Sequence, residues 1–181
     1  MIFGNRTAAA RLHRCKGLLY LLEAMKRIRE EVHDAHLYII GKGPEEQNLR
    51  SLTEKLELSS VVTFLTRPIP NHEMSALYAE CDLYVQPSIV EPYGIAVLEA
   101  MACGKPVVGT RVGGMLDTVK EGETGFLVES ADSGGLAEQI IMLSDPGLRG
   151  EFGRAARERM EGKFDWRCIA DGYLEVIDAI G

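Results

Sequence analysis

Apolar residues form two patterns along this chain. In the first pattern they recur every three or four positions, which is typical of amphipathic helices. In the second pattern they form a short continuous run, which is typical of buried strands. Runs and helical segments alternate as far as residue 128, after which the pattern is helical to the end, with breaks near 146–147 and 163–165. The predicted strands are 37–40, 61–65, 83–85, 106–109 and 125–128, and the predicted helices before the last helical region are 17–32, 45–57, 71–80, 94–103 and 114–120.

Short buried strands that alternate with helices predict an α/β fold, a Rossmann-like parallel sheet with helices on both faces. Parallel neighbours need a crossover connection, and a helix usually supplies it. Because no repeat, low-complexity tract or linker interrupts the series, we interpret 11–181 as a single domain. Residues 1–10 lack a strand pattern and are interpreted as a poorly patterned start, either a truncated first strand or residues added at a boundary.

Composition and charge restrict the class of partner. The chain is 46% hydrophobic and 26% charged, with a formal net charge of −7, which argues against a nucleic-acid or anionic-membrane binder. The four cysteines form no CxxC pair, so we expect reduced thiols and a cytoplasmic location. HExxH and Asp-x-Asp motifs are absent from the sequence, so we expect no metal and no resident cofactor.

Ligands of an open parallel sheet bind beyond the carboxyl ends of its strands. Arg11 and Lys16 lie in one such loop, just before a predicted helix start, where they suit a phosphate group. The alternative is that both are solvated surface charges. Arg14 competes for the same role, and His13 is a further candidate contact.

Two other loops carry paired glycines. Gly41 and Gly43 follow one predicted strand, and Gly113 and Gly114 follow another. Each pair allows the backbone to approach a ligand closely, but each also fits a plain tight turn. Neither loop is a Walker loop or a GxGxxG fingerprint, which disfavours a dinucleotide-dependent oxidoreductase.

Two carboxylates distinguish the loop that follows 83–85. Glu91 lies in the loop, and Glu99 lies inside the predicted helix 94–103. Carboxylates accept paired hydrogen bonds from hydroxyl groups, so the two suit a sugar and a ribose. The alternative is two ordinary surface glutamates. The helix is apolar almost all round, so we expect it to be buried and Glu99 to need polar partners.

These segments, in order, resemble a known family. The matching motifs are Arg11-Leu12 with Lys16-Gly17, Gly41-Lys42-Gly43-Pro44, Pro87-Ser88, Glu91-Pro92-Tyr93-Gly94-Ile95, Glu99-Ala100-Met101-Ala102-Cys103-Gly104-Lys105-Pro106, Gly113-Gly114 and Gly122-Glu123-Thr124-Gly125. The chain resembles the C-terminal, donor-binding domain of the family 4 retaining glycosyltransferases (glycosyl transferases group 1), which is one half of a GT-B fold. The block 87–128 is the most specific part.

The resemblance implies a reaction and a role for each matched residue. The family transfers a sugar from a nucleotide diphosphate, such as UDP-glucose or GDP-mannose, to an acceptor hydroxyl with retention of configuration and without a metal. The leaving phosphate is proposed to assist deprotonation of the acceptor. The implied catalytic residues are Arg11 and Lys16 on the diphosphate and Glu91 on the sugar. The implied donor-binding residues are Tyr93, Gly94 and Ile95 at the sugar and distal phosphate, Glu99 at the ribose, and Gly41, Gly43 and Arg67 around the base.

The chain departs from the family pattern in two ways. Ala10 stands where the family has glycine before its arginine, and the N-terminal acceptor-binding half is absent from these residues. We therefore expect the donor-binding half of a hexosyltransferase, inactive alone, with any membrane association supplied by the other half. The alternative is a non-catalytic nucleotide-sugar-binding or interaction module. Residues 166–180 resemble the segment that returns to the N-terminal half, so we expect them to expose an apolar face.

Overall fold

A computed structural model describes residues 5–9 and 12–180, and the side chains of 5–9 and of Asn71 lie outside the description. The strands are β1 Asn5–Ala9, β2 His36–Ile40, β3 Val62–Leu65, β4 Leu83–Gln86, β5 Val107–Thr110 and β6 Gly125–Val128. The helices are α1 Leu18–Glu31, α2 Glu46–Lys55, α3 Asn71–Glu80, α4 Ile95–Ala102, α5 Met115–Thr118, α6 Ser133–Met142, α7 Pro146–Arg159 and α8 Trp166–Ile180. A 3-10 turn spans Arg14–Lys16, and a π-helical turn spans Met160–Phe164.

The strands form one parallel sheet in the order β3-β2-β1-β4-β5-β6, which confirms the predicted architecture. The strands and helices predicted from apolar spacing are present, and their ends differ from the predicted ones by no more than two residues. β4 continues one residue beyond its predicted end, to Gln86.

Residues 1–10 lack a strand pattern, yet Asn5–Ala9 form β1, which agrees with the interpretation as a first strand and not with residues added at a boundary. This strand pairs with β2 on one side and β4 on the other. Its sequence, Asn-Arg-Thr-Ala-Ala, contains a single β-branched residue, so it has no strand signal of its own. The two neighbouring ladders supply the backbone hydrogen bonds that place it in the sheet.

The core lies on both faces of the sheet. Side chains along a strand point alternately to opposite faces. Leu83 and Val85 accordingly belong to a cluster with α1 and α6, whereas Tyr84 belongs to a cluster with α3, α4 and α5. The helices therefore cover both faces, as the sequence pattern predicts.

The strand order reverses direction between β1 and β4. From β1 the chain proceeds outward through β2 to β3, and β4 then begins the other half on the opposite side of β1. In doubly wound sheets of this order, the crevice at the carboxyl ends of the two central strands is where ligands bind. The topology therefore places the candidate site between the loops that follow β1 and β4.

Helix α8 stands apart from the core. None of its described residues is buried, and all but one of its large apolar side chains are exposed. The exposed ones are Trp166, Tyr173, Leu174, Val176, Ile177 and Ile180. The predicted exposed apolar face is thus present. None of the helices in the described ranges is long and apolar enough to cross a bilayer.

Candidate functional site

The loops after β1 and β2 lie against each other. The Leu12 amide donates to the Lys42 carbonyl at 3.0 Å, and the Glu45 amide donates to the Leu12 carbonyl at 3.0 Å. A Cβ atom at Gly43 would lie 2.2 Å from the Leu12 carbonyl oxygen, so only glycine fits this approach. This glycine therefore has at least a packing role.

The loops after β1 and β4 join across the point where the strand order reverses. The amides of Ile89 and Val90 donate to the Cys15 carbonyl at 2.8 and 3.2 Å. Gly17 has a φ of +59°, and a Cβ atom there would lie 2.0 Å from the Pro87 carbonyl oxygen. Both the backbone conformation and the contact require glycine at this position.

The loop after β5 closes the other side of the site. The Gly114 amide donates to the Glu91 carbonyl at 3.1 Å. Gly113 has a φ of +46°, and a Cβ atom there would lie 2.0 Å from the same carbonyl oxygen. The structure therefore brings the four candidate loops together along one edge of the sheet.

Lys16 and Glu91 form an ion pair at the centre of this edge. The Lys16 ammonium donates to Glu91 Oε2 at 2.7 Å, and the two side chains are 20% and 9% exposed. Burial alone would raise the pKa of Glu91. The Lys16 ammonium, the Ser88 hydroxyl and the Gly94 amide outweigh it and hold that pKa below its ordinary value. Glu91 is therefore a carboxylate at neutral pH.

Further donors surround the same carboxylate. Gln86 Nε2 and Ser88 Oγ donate to Glu91 Oε2 at 2.8 and 3.1 Å. The Gly94 amide donates to Oε1 at 3.2 Å, which places the carboxylate at the start of α4. Gln86 is not among the residues predicted from the sequence. The available signal was a polar residue at the end of an apolar strand, directly before a candidate loop.

Glu99 has a partner but is not buried. The expectation of a helix buried almost all round is wrong. Val97, Ala100 and Met101 of α4 are buried, whereas Ile95 and Glu99 are exposed. The buried Tyr78 hydroxyl donates to Glu99 Oε2 at 3.0 Å. Burial is the main reason that the pKa of Tyr78 is raised, so this hydroxyl stays protonated. The predicted need for a polar partner is thus met by a tyrosine from α3.

Gly94 and its neighbours occupy the start of α4. Gly94 precedes the helix with a φ of +74°, and the side chains of Tyr93 and Ile95 are 78% and 65% exposed. The amides of Val97 and Leu98 donate to the Gly94 carbonyl. The helix start therefore lies directly beside Glu91, with two large apolar side chains around it.

The remaining predicted residues lie around the site. The Gly41 amide donates to the Leu65 carbonyl at 3.1 Å, which joins its loop to the segment that leads to Arg67. Arg67 is exposed and lies 3.6 Å from a Glu73 carboxylate oxygen. Arg14 pairs with Glu45 at 3.2 Å, which occupies a side chain that could compete for a phosphate. Arg11 and Ala10 lie outside the described residues.

His13 and Cys15 shape the loop after β1. The Cys15 amide donates to His13 Nδ1 at 3.3 Å, so His13 caps the 3-10 turn. No disulfide joins the cysteines, all four of which are in the described part of the chain. Within that part, no three or more His, Cys, Asp or Glu residues are grouped so as to hold a metal ion.

The strand order, which reverses between β1 and β4, defines a Rossmann-like domain with its crevice at the reversal point. The sequence profile described as "Glycosyl transferases group 1" matches residues 7–159. The chain belongs to this family of glycosyltransferases, as the resemblance predicted. Its parallel α/β fold matches the C-terminal Rossmann-like domains of GT-B members.

Individual relatives agree with this assignment. The chain is 39% identical over 172 residues to the D-inositol 3-phosphate glycosyltransferase of Pseudarthrobacter chlorophenolicus, covering 92% of this chain and 40% of the relative. Sucrose-phosphate synthase from Thermosynechococcus elongatus superimposes with a TM-score of 0.84 at 31% identity, over 98% of this chain and 45% of that chain. Anabaena Alr3699/HepE in complex with UDP-glucose gives a TM-score of 0.83 at 28% identity, over 97% and 48%. The chain thus spans less than half the length of these relatives.

Proposed function

We propose that this chain binds the nucleotide diphosphate sugar donor of a retaining glycosyltransferase, as the C-terminal half of that enzyme. The observation that carries the proposal is the Lys16–Glu91 pair at the reversal point of the sheet, beside the start of α4. A cation, a fixed carboxylate and a helix start at one point suit a ligand with both phosphate and hydroxyl groups. The complex of Anabaena Alr3699/HepE with UDP-glucose supports this class of ligand.

The diphosphate is held by Lys16 and Arg11 in this proposal. The Lys16 ammonium has three N–H donors and gives one of them to Glu91, so others are available for phosphate oxygens. Charge that develops on the departing diphosphate is stabilised by these cations, the electrostatic effect that usually dominates transfer reactions. No metal is needed for this step, because the fixed cations take its place.

The carboxylates hold the hydroxyl-bearing parts of the donor. Glu91 accepts hydrogen bonds from the transferred sugar, whose distal phosphate lies at the backbone of Tyr93, Gly94 and Ile95. Glu99, which is held by Tyr78, accepts hydrogen bonds from the ribose. The base lies beside the loop of Gly41 and Gly43 and near Arg67.

The acceptor is bound by a second domain, which docks in part on α8. The exposed side chains of Trp166, Tyr173 and Ile177 support this, because an apolar face of that size is typical of an interaction surface. With the acceptor hydroxyl in place, the leaving phosphate takes its proton, and the sugar is transferred with retention of configuration. The reaction takes place in the cytoplasm, and this chain alone does not catalyse it.

Titration calorimetry with UDP, UDP-glucose, GDP and GDP-mannose tests the proposal. We expect one nucleotide series to bind and Lys16→Met to weaken that binding by about tenfold or more, since a phosphate contact is lost. Lys120→Met, which makes the same change at an exposed ion pair, is the matched control and leaves the affinity unchanged. If none of the four ligands binds, the proposal is wrong.

Transfer activity distinguishes an enzyme half from a non-catalytic module. The full-length enzyme with its acceptor-binding half transfers the sugar, and Glu91→Gln abolishes the transfer. A protein that binds a nucleotide sugar but transfers none, even with that half present, would be a binding module instead.

A further inference from the structure

Gln86 carries a buried amide that the proposed function does not use. It is the last residue of β4, a strand whose four residues are all buried, and it is 3% exposed. Burying an amide costs free energy unless each polar atom finds a partner. Gln86 meets this condition entirely through side chains, and one of them is the central carboxylate of the site.

Only one assignment of donors and acceptors is consistent for the hydrogen bonds of the Gln86 amide. An ionised carboxylate can only accept, so the atom that faces Glu91 Oε2 at 2.8 Å is the amide nitrogen. The amide oxygen consequently faces the Tyr84 hydroxyl at 2.6 Å, and that hydroxyl must donate. The second N–H of the amide reaches Ser88 Oγ at 2.8 Å. A chain of donors thus runs from Tyr84 through Gln86 to Glu91.

These contacts divide the two oxygens of Glu91. Oε2 accepts from Lys16, Gln86 and Ser88, which occupies it fully. Oε1 accepts only from the Gly94 amide among the described residues, so it retains a lone pair. The free acceptor is the oxygen that lies at the start of α4.

The backbone that carries these donors is also fixed. The Thr110 hydroxyl, at the end of β5, donates to the Ser88 carbonyl at 2.5 Å. Thr110 and Ser88 are fully buried. Two adjacent strands therefore set the position of Glu91, although Glu91 itself lies in a loop.

We infer that Gln86 is a positioning residue for donor recognition, which holds Glu91 so that Oε1 accepts a hydroxyl of the transferred sugar. The inference rests on the proposed function. Gln86 contacts no ligand itself and acts only through Glu91. Tyr84 acts one step further back, because its hydroxyl fixes which way the amide points.

A titration without ligand tests the contact. Carbon-13 NMR of the glutamate carboxyl groups follows the titration of Glu91. Its resonance is assigned as the one that is missing from the spectrum of Glu91→Gln. Gln86→Leu removes a donor from the ionised form, so we expect the pKa of Glu91 to rise by about half a unit or more. Tyr84→Phe is a smaller change that keeps the ring and produces a smaller shift in the same direction. An unchanged pKa of Glu91 in Gln86→Leu overturns the inference.

Binding tests the role in recognition. The affinity for UDP-glucose is compared with that for UDP, and the affinity for GDP-mannose with that for GDP. Gln86→Leu lowers the sugar-to-nucleotide affinity ratio by about fivefold and leaves the bare nucleotide unaffected, since Glu91 recognises only the sugar part. Gln139→Leu is the matched control, because it makes the same change in α6. On a Glu91→Gln background, Gln86→Leu has no further effect.

A pH profile separates positioning from packing. Gln86→Glu places a second carboxylate beside Glu91, so the affinity ratio is low near neutral pH. It recovers as the pH falls, because a protonated Glu can donate the hydrogen bond that Gln86 supplied. A packing defect alone would give no such recovery, and its absence would count against the inference.

The two hypotheses fail differently. Wild-type protein that binds none of these nucleotides or nucleotide sugars overturns the proposed function, and the role of Gln86 with it. Wild-type protein that binds a nucleotide sugar, with Gln86→Leu indistinguishable from it, overturns only the assignment of Gln86.

Discussion

The Lys16 ammonium lies 2.7 Å from Glu91 Oε2 and so joins the loops that follow the two central strands of the sheet. The two residues are 75 positions apart, and the strand order brings them together. Because Lys16 is only 20% exposed and Glu91 only 9% exposed, solvent screens the pair weakly. The pair therefore contributes to folding stability as well as to the site.

Replacing Lys16 with methionine tests that contribution. We expect Lys16→Met to lower the free energy of unfolding by about 2 kcal/mol, because Glu91 keeps its hydrogen bonds but loses its counter-charge. The pKa of Glu91 rises at the same time. Urea unfolding followed by circular dichroism measures the stability.

The control for this change is Lys120→Met, which breaks an exposed pair with Glu123. Exposed pairs contribute little, so its unfolding free energy stays close to that of the wild type. If Lys16→Met were no more destabilising than Lys120→Met, the ion pair at the site would not contribute to folding stability.

The lowered pKa of Glu91 predicts how stability depends on pH. A carboxyl whose folded pKa lies below its unfolded value of about 4.5 stabilises the fold at higher pH. This contribution is lost as the pH falls from the unfolded value through the folded one. In that window, the unfolding free energy of the wild type falls more steeply than that of Glu91→Gln. Urea midpoints of the two proteins across the window measure the difference, and parallel curves would contradict the expectation.

The contact between Gly17 and Pro87 predicts a steric effect at the same junction. We expect Gly17→Ala to lower the unfolding free energy by about 3 kcal/mol, because it combines a positive φ with a Cβ atom 2.0 Å from a carbonyl oxygen. Gly122→Ala separates the two causes, since Gly122 has a φ of +72° and a Cβ atom there would have nothing within 4 Å. Its cost is that of backbone strain alone, about 1 kcal/mol. Equal losses in the two variants would mean that the loop moves aside from Pro87.

Apolar spacing was sufficient to predict most of the sheet, because each strand after β1 carries its own apolar run in the sequence. β4 and β5 are fully buried on both sides, which produces continuous apolar sequence. β1 could not be found in this way, since its place depends on pairing with β2 and β4, which lie well beyond it in the chain.

The site was predicted to the level of loops but not of contacts. Strand topology explains why the loops with Lys16 and Glu91 meet, and the paired glycines mark the close approaches between loops. The roles of Gln86 and Tyr78 depend on which side chain faces which carboxylate. That information lies in tertiary packing and has no local pattern in the sequence.

The hydrogen bond from Tyr78 to Glu99 leads to a prediction about the ribose. Tyr78 is 1% exposed, so its hydroxyl keeps Glu99 in one position against the surface of α4. If Glu99 binds the ribose hydroxyls, the wild type prefers UDP over 2′,3′-dideoxy-UDP, or GDP over 2′,3′-dideoxy-GDP. Tyr78→Phe keeps the ring and reduces this preference about threefold, by roughly half of a typical hydrogen-bond contribution. Tyr173→Phe, at an exposed position in α8, leaves it unchanged. Calorimetry with the two nucleotides measures this preference. An unaltered preference in Tyr78→Phe would contradict the role of Tyr78 in positioning Glu99 for the ribose.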